Sequence, residues 1–558
     1  MNRFKEMLIK IAITATAGAI IFFLIILLYA PSINYDFVSF DDDQLVAESQ
    51  IPITDWGNIK KTFQRPVFEA DSNYFRPLLN LSLMFDAFSS KFNPYGYHRT
   101  NILLHALAVI LVYLFLGQYF PQKKMIFLFS LWYAIHPLFV SNVVWIPGRN
   151  DILLAIFSLP LFIFLVKYLR TGKSVYLWLQ LLFFLLALFT KETAIVFPLL
   201  ALVIYFVERP IKISMSGKIG VILLWATAIV CWLVVRGQIL SNHVLLMYTI
   251  TYFRKTFVSN ASSLLVYPGK MFFPFNLSVF PISKSGGLYP GIMAFLALIG
   301  LLWFSREKRK PIVVLGLFWF ILLLLPVMLV HNVELTWGED MQLESRMYLP
   351  MIGLMIILLE TDPVKKLIKW KAIPLAVMAL VIIIFAGISY KNSRSYQDKL
   401  TFWQSAVNSS PGSSVAHQML AGIQLQEKWL VKAEKEFELS LQLNPLKSGN
   451  YAGLGTIALE KEDFTVAKEY FYKELRVNPQ SAETYFNLGR IYYSQGDLNK
   501  AAGNMEKSLD LNRDLVEAYG YLGVIYFSLN DLSKARYYVK EAGKRGAYVD
   551  QAVTEFLK

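Results

Sequence analysis

Cysteine occurs once in 558 residues. Cys231 lies inside an apolar run, Ala228-Ile229-Val230-Cys231-Trp232-Leu233, so a disulfide framework is excluded and the residue reads as a small core hydrophobe. Charge is also scarce: Asp, Glu, Lys and Arg make up 17% of the chain, against about 25% in a soluble one. The deficit falls almost wholly before residue 390, which divides the chain into two regions of different kind. The six histidines never take the His-Glu-x-x-His spacing of a zinc site, and no Walker loop, dinucleotide fingerprint or nucleophile elbow occurs. A net charge of +14 would suit nucleic acid, but the basic residues form no stripe on a soluble region, and that partner is set aside. They sit in short clusters between apolar runs, as the positive-inside rule distributes them.

What the chain has is hydrophobic sequence, 55% of it. Apolar runs near the roughly 20-residue spanning length occur at 8–30, 102–120, 125–146, 151–169, 219–236, 289–304, 312–330 and 373–389. Three shorter runs, 175–190, 193–207 and 347–360, bring the expectation to about 11 spans of an all-α, polytopic transmembrane bundle over 1–390. The first run lacks a small-residue cleavage site and reads as a retained anchor. With the basic clusters (Lys123-Lys124, Arg170/Lys173, Arg209/Lys212/Lys218, Arg306 to Lys310, Lys365 to Lys371) on the cytoplasmic side, the loops 31–100, 147–150, 191–192, 237–288 and 331–346 face outward. So does everything after 390. The segment 244–282 is apolar but broken by Arg254, Lys255, Pro268, Lys270 and Pro274, which suits a piece lying in the outer interface.

The region after 410 is periodic. Pro411, Pro445 and Pro479 are spaced by 34 residues, and in register with them run Tyr451/Tyr485/Tyr519, Gly455/Gly489/Gly523, Leu420/Leu454/Leu488/Leu522 and Ala433/Ala467/Ala501/Ala535. This is the tetratricopeptide repeat signature, in which small residues let two helices approach and Pro ends the second. It predicts an α-solenoid of about four repeats over 411–558, joined to the last span by a polar linker at 391–410. Such arrays hold a peptide or partner protein in a concave groove, or serve as rigid spacers.

The first outward loop opens Asn34-Tyr35-Asp36-Phe37-Val38-Ser39-Phe40-Asp41-Asp42-Asp43. Crowded carboxylates raise one another's pKa. At a membrane surface they can serve as a general base, hold a metal, or simply form a solvated loop. Further motifs follow in order: Asn73 to Ser82 with Arg76-Pro77, Asn93 to His105 with His98, His136-Pro137, Trp145 to Asp151 with Arg149, Thr190-Lys191-Glu192, and Glu344-Ser345-Arg346-Met347-Tyr348-Leu349-Pro350.

In this order, with the repeats behind them, these motifs resemble the GT-C superfamily membrane glycosyltransferases with C-terminal tetratricopeptide repeats. Those are bacterial relatives of the transmembrane and tetratricopeptide repeat-containing O-mannosyltransferases. The resemblance implies transfer of a sugar, with mannose the sugar of the family name, from a polyprenyl-phosphate carrier to an acceptor hydroxyl, on protein by reason of the repeats. It implies a multi-pass protein of the bacterial cytoplasmic membrane with its repeats on the extracytoplasmic side. The family's aromatic-acid-acid pattern maps onto Phe40, Asp41 and Asp42, which makes Asp41 the expected base with Asp42 assisting; Asp43 extends the pair, so the register could slip by one. Arg149, Lys191 and Arg346 are the expected donor-phosphate ligands, with Arg76, His98, His136, Glu192 and Glu344 in support. His98, His105 and His136 read more readily as satisfied structural histidines, and Glu192 as a partner for Lys191. No cofactor is expected beyond the lipid-linked donor. The acidic cluster could hold Mg²⁺ or Mn²⁺, but the mannosyltransferase relatives are regarded as metal-independent and no metal is assigned. Two other readings remain open: an O-antigen-ligase-like oligosaccharide transferase, and a membrane-anchored repeat scaffold for assembly or secretion.

Overall fold

A computed structural model describes residues 2–47, 53–67, 74–209, 213–240, 257–258, 260–282, 287–329, 339, 341–367 and 372–557. Contacts divide the chain into two compact units, Met1–Ser410 and Pro411–Lys558. Among the described residues the chain is all-α, the nearest approach to a sheet being an isolated bridge between Ile282 and Met341.

Every apolar run read from the sequence folds as helix, and the breaks between helices follow from local chemistry. In the first unit α1 is Asn2–Tyr29, α2 Pro77–Ser90, α3 Pro94–Leu116, α4 Lys123–Ala134, α5 Val140–Val144, α6 Arg149–Thr171, α7 Ser174–Leu188 and α8 Phe197–Glu208. Then come α9 Met215–Ile239, α10 Ser263–Phe272, α11 Leu288–Phe304, α12 Lys310–Leu329, α13 Pro350–Leu359, α14 Ala372–Ser393 and α15 Lys399–Ser409. The run 125–146 is broken at Pro137. Proline holds the preceding residue extended, and His136 at φ −67°, ψ 128° accepts the Leu138 amide on Nδ1, capping the short 3₁₀ turn that follows. The pair α4 and α5 therefore bends by 49°. At Gly148 a side chain would collide with the Ser141 carbonyl, so only glycine admits the approach from which α6 starts. Gly316 of α12 and Gly353 of α13 each face the other's carbonyl where a Cβ would clash, the small-residue packing that membrane helices use.

Helix length alone does not establish the expected count of about eleven spans. Among the described residues six helices are long and apolar enough to cross a membrane, or seven if the bent pair counts as one. Ser174–Leu188, Leu288–Phe304 and Pro350–Leu359 are apolar but shorter. The run 193–207 is divided between a 3₁₀ turn, Glu192–Val196, and the 12-residue α8. Cys231 lies on the exposed side of α9, so it faces away from the bundle and is no core residue. The interfacial piece expected at 244–282 falls partly outside the described residues, as do residues 331–338 and 340 of the outward loop 331–346. Within the described part of 244–282, α10 buries Val266, Tyr267 and Met271.

Residues 391–410, expected as a linker, are the end of α14, a 3₁₀ turn at Arg394–Tyr396, and α15. They belong to the first unit and bury Phe402, Trp403 and Ala406.

The second unit stacks four helix pairs: Ser414–Gln426 with Leu430–Leu443, Asn450–Glu460 with Phe464–Val477, Ala482–Ser494 with Leu498–Leu511, and Val516–Ser528 with Leu532–Arg545. A short helix, Gln551–Leu557, follows. Close approach within each pair relies on the repeated small residue. A Cβ on Gly455 would meet the Phe471 ring at 2.6 Å, and on Gly489 the Met505 side chain at 2.6 Å. Two further features recur every 34 residues. A residue in the left-handed region ends each first helix (Lys428, Glu462, Gly496, Asn530), and Asp463, Asp497 and Asp531 cap the second helices by accepting the amides of Val466, Lys500 and Lys534.

Candidate active site

The loop after α1 is held in an unusual conformation. Ser39 (φ 54°) and Asp41 (φ 65°) both occupy the left-handed region, which costs a side-chain-bearing residue about 1–2 kcal/mol and persists only when the surroundings enforce it. Between them Phe40 is buried against Trp145 (ring centroids 5.0 Å, stacked), Phe280 (5.6 Å), Phe402 (5.6 Å) and Trp403 (5.9 Å). The Trp145 indole N–H donates to the Phe40 carbonyl at 2.7 Å. The turn is fixed by its middle residue.

This geometry separates the acids. The Asp42 carboxylate is buried and accepts the Val38 amide at 2.9 Å, closing the loop on itself. Asp41 is only partly buried. Desolvation pushes its carboxyl up to about 6, with the Arg76 charge pulling the other way. The side chain of Asp43 lies outside the described residues.

Arg76, at the start of α2, is held by three groups. Its Nε and Nη2 each lie 3.0 Å from Glu192 Oε2, and its guanidinium stands 4.3 Å from the centre of the Tyr74 ring. With the Asn150 amide oriented to satisfy both neighbours, its oxygen accepts Arg76 Nη1 at 2.7 Å and its nitrogen donates to the Thr190 carbonyl at 3.1 Å. Glu192 thus pairs with Arg76. Lys191 pairs with Asp151, at 2.5 Å from Nζ to Oδ1, and not with its neighbour Glu192 as the sequence suggested. Burial depresses the Lys191 ammonium, Asp151 opposes that, and the charges of Arg76 and Arg346 add to it. Three cations, Arg76, Lys191 and Arg346, therefore act on one locality together with the carboxylates of Glu192, Asp151 and Asp41.

Arg346 comes from the turn Glu344–Met347 and is partly exposed. Among the described residues its guanidinium has no hydrogen-bond or ion-pair partner. Glu344 beside it is buried and paired with Lys270 at 2.5 Å; burial raises its carboxyl and Lys270 offsets part of the rise.

Arg149 does not join this group. It is fully buried and every arm of its guanidinium is committed: Nη1 to Asp86 at 2.5 Å and to Ser82, Nε to Asn101 at 2.7 Å, Nη2 to the Tyr97 carbonyl at 2.9 Å. It ties α6 to α2 and α3, and being fully buried it offers no exposed N–H to a phosphate. The histidines are likewise packed. His98 is buried in an edge contact with Tyr35, and His105 bonds the Tyr348 hydroxyl and the Ala134 carbonyl. His136 caps the broken helix and bonds the Met271 carbonyl at 2.9 Å. Among the described residues no three His, Cys, Asp or Glu side chains converge as a metal site would require.

The comparisons with known proteins bear on both units. Residues 482–515 match the tetratricopeptide repeat family model. Protein O-mannosyl-transferase Tmtc1 of Drosophila melanogaster is 26% identical over 179 residues, covering 30% of this chain and 20% of that protein. TMTC1 of Mus musculus is 30% identical over 132 residues, covering 22% and 14%. TMTC4 of Homo sapiens is 29% identical over 196 residues, covering 30% and 26%. The chain is similar to protein O-mannosyl-transferases. The names of these relatives agree with the resemblance carried by the motifs, and the family match agrees with the repeats. The chain spans at most about a quarter of the length of these three relatives. Among solved structures, that of MamA protein is 19% identical with a TM-score of 0.24, covering 26% of this chain and 80% of that one.

Proposed function

We propose that this chain is a membrane glycosyltransferase that moves a sugar, mannose by analogy with its relatives, from a polyprenyl-phosphate carrier to an acceptor hydroxyl on protein. The observation that carries the reading is Asp41. It is a desolvated carboxylate on a partly buried residue of an enforced turn, and the charge of Arg76, which also acts on Lys191, acts on it. A carboxyl near 6 is ionised at neutral pH and still basic enough to matter, the condition for general-base work. Asp41 takes the proton of the acceptor hydroxyl as its oxygen attacks the anomeric carbon. The bond from that carbon to the phosphate oxygen breaks, and the lipid phosphate leaves with the electron pair. Arg346, whose guanidinium has no partner among the described residues, grips the departing phosphate; Lys191 lends a second positive charge once it turns from Asp151. Displacement in one step inverts the anomeric centre. Asp42 supports by holding the loop, and no metal is assigned.

The repeats would then present the protein acceptor. The site and the repeats are assigned to the extracytoplasmic face on the alternation of basic loops, and to a bacterial cytoplasmic membrane on the resemblance carried by the motifs. Protease added to spheroplasts should remove residues beyond about 410 and spare Lys308; protection of the repeats overturns that orientation. The activity itself is tested by transfer from a synthetic polyprenyl-phosphate mannose in detergent, with the native acceptor supplied. Asp41→Asn should lower the rate by about 10² or more, and the wild-type rate should fall as pH drops through about 6. A wild type that consumes no lipid-linked sugar, or an Asp41→Asn enzyme with full activity, rejects the proposal.

A further inference from the structure

The segment between the last long helix and the repeats grips the candidate catalytic loop at two places. The Asp36 amide donates to the Gln397 carbonyl at 2.9 Å. Four residues on, Phe40 packs against Phe402 and Trp403, both fully buried on α15. The far end of α15 is fastened as well. Ser410 Oγ donates to the Phe280 carbonyl at 2.7 Å, and the Ser409 hydroxyl lies 2.7 Å from that of Ser278. Phe280 in turn contacts both Phe40 (5.6 Å) and Trp403 (5.5 Å). The aromatic wall that fixes Phe40 is thus contributed by three distant parts of the chain, and α15 supplies two of its four rings. Ser39 and Asp41, left-handed on either side of Phe40, would relax toward ordinary backbone if that ring were released.

We propose that α15 is part of the catalytic unit, and that Phe402 and Trp403 are positioning residues which set the direction of the Asp41 carboxylate through Phe40. This rests on Asp41 being the base, but the structural half of the claim is separable from the chemistry. The catalytic unit then ends near Ser410, not at the end of α14. A chain cut after residue 390 would keep the long helices and lose the means of aiming its base.

The test uses full-length Trp403→Ala, Trp403→Phe and, as a control on the exposed side of α15, Gln404→Ala. Two readouts are taken. Hydrogen exchange of the loop amides reports the turn without any reference to activity. The Val38 amide is bonded to Asp42 and the Leu45 amide to the Asp41 carbonyl, so Trp403→Ala should speed exchange over 36–46 by about tenfold or more. Sugar transfer reports the consequence: kcat should fall by about 10²-fold, as for a misplaced reacting group, with the donor KM little changed. Trp403→Phe should recover most of both, and Gln404→Ala should match the wild type. Unchanged exchange over 36–46 in Trp403→Ala, in protein that inserts and purifies normally, overturns the proposal. So does full kcat in a variant whose loop has loosened. If the wild type transfers no sugar, the glycosyltransferase reading fails by itself, and the exchange measurement still decides whether α15 holds the loop. If Trp403→Ala does not accumulate, the comparison is made with Phe402→Leu, which removes one ring and keeps bulk; the same two outcomes decide it.

Discussion

Replacement of Arg149 separates a structural from a ligand-binding role. As a phosphate ligand, its loss would weaken donor binding and leave the fold intact. The structure argues the reverse. Arg149 and Asp86 are both buried, 2.5 Å apart, and Asp86 also accepts the Thr100 hydroxyl at 2.5 Å. Arg149→Ala strands the Asp86 carboxylate in a dry site, and removing one member of a buried pair costs about 3–5 kcal/mol. The lost bonds to Asn101, Ser82 and Tyr97 act in the same direction. A loss of about 4 kcal/mol is roughly three decades in the folding equilibrium, and should appear as a fall of about 5 °C or more in the apparent melting temperature in detergent. The companion variants sharpen the test. Asp86→Asn alone should also destabilise, because it leaves the guanidinium under-compensated. The double change Arg149→Met with Asp86→Leu removes both charges and should recover part of the loss, since apolar replacement of a buried pair is often neutral. An Arg149→Ala protein that melts like the wild type while its donor KM rises would refute the structural role.

Three other outcomes are expected. Arg76→Ala removes a positive charge that favours the ionised form of Asp41, so the acid limb of the kcat profile should move upward from about pH 6. Arg76→Lys should hold it near its place, and an unmoved limb in Arg76→Ala would separate the two residues. Arg346→Ala should leave melting unchanged, because among the described residues the guanidinium has no partner to lose, while the donor KM rises roughly 10- to 100-fold for one lost charge-assisted bond of about 1.5–3 kcal/mol. A drop in melting temperature with an unchanged KM would reverse that assignment. Finally, residues 411–558 should fold alone as a helical, cooperatively melting domain. Gly455→Ala, which drives a Cβ to 2.6 Å from the Phe471 ring, should destabilise it by about 1–3 kcal/mol; a disordered circular dichroism spectrum for the parent fragment would contradict the division of the chain.

Which parts of this protein could be read before its structure depends on the range of the physics involved. Helices at every apolar run and a 34-residue stack after 410 follow from composition and period, which are local properties. The same period carried more than was read from it: Asp463, Asp497 and Asp531 as caps, and Lys428, Glu462, Gly496 and Asn530 as left-handed helix ends, are visible in the sequence at that spacing. Span length was less legible, because a run such as 193–207 shows hydrophobicity but not that Glu192–Val196 would wind as a 3₁₀ turn. The acidic cluster was visible as a candidate, yet its three consecutive carboxylates look alike in sequence. Only the fold distinguished the two it describes, by burying Asp42 on the Val38 amide and leaving Asp41 partly open. The cations divided in the same way. Arg149, Lys191 and Arg346 all stand at helix ends beside polar residues. What each does was decided by a partner elsewhere in the chain: Asp86 buries Arg149, Asp151 holds Lys191, and no described residue meets Arg346. Sequence determined which residues could be charged, helical or repeated; tertiary structure decided which charges were already spent, because pairing depends on distance in space.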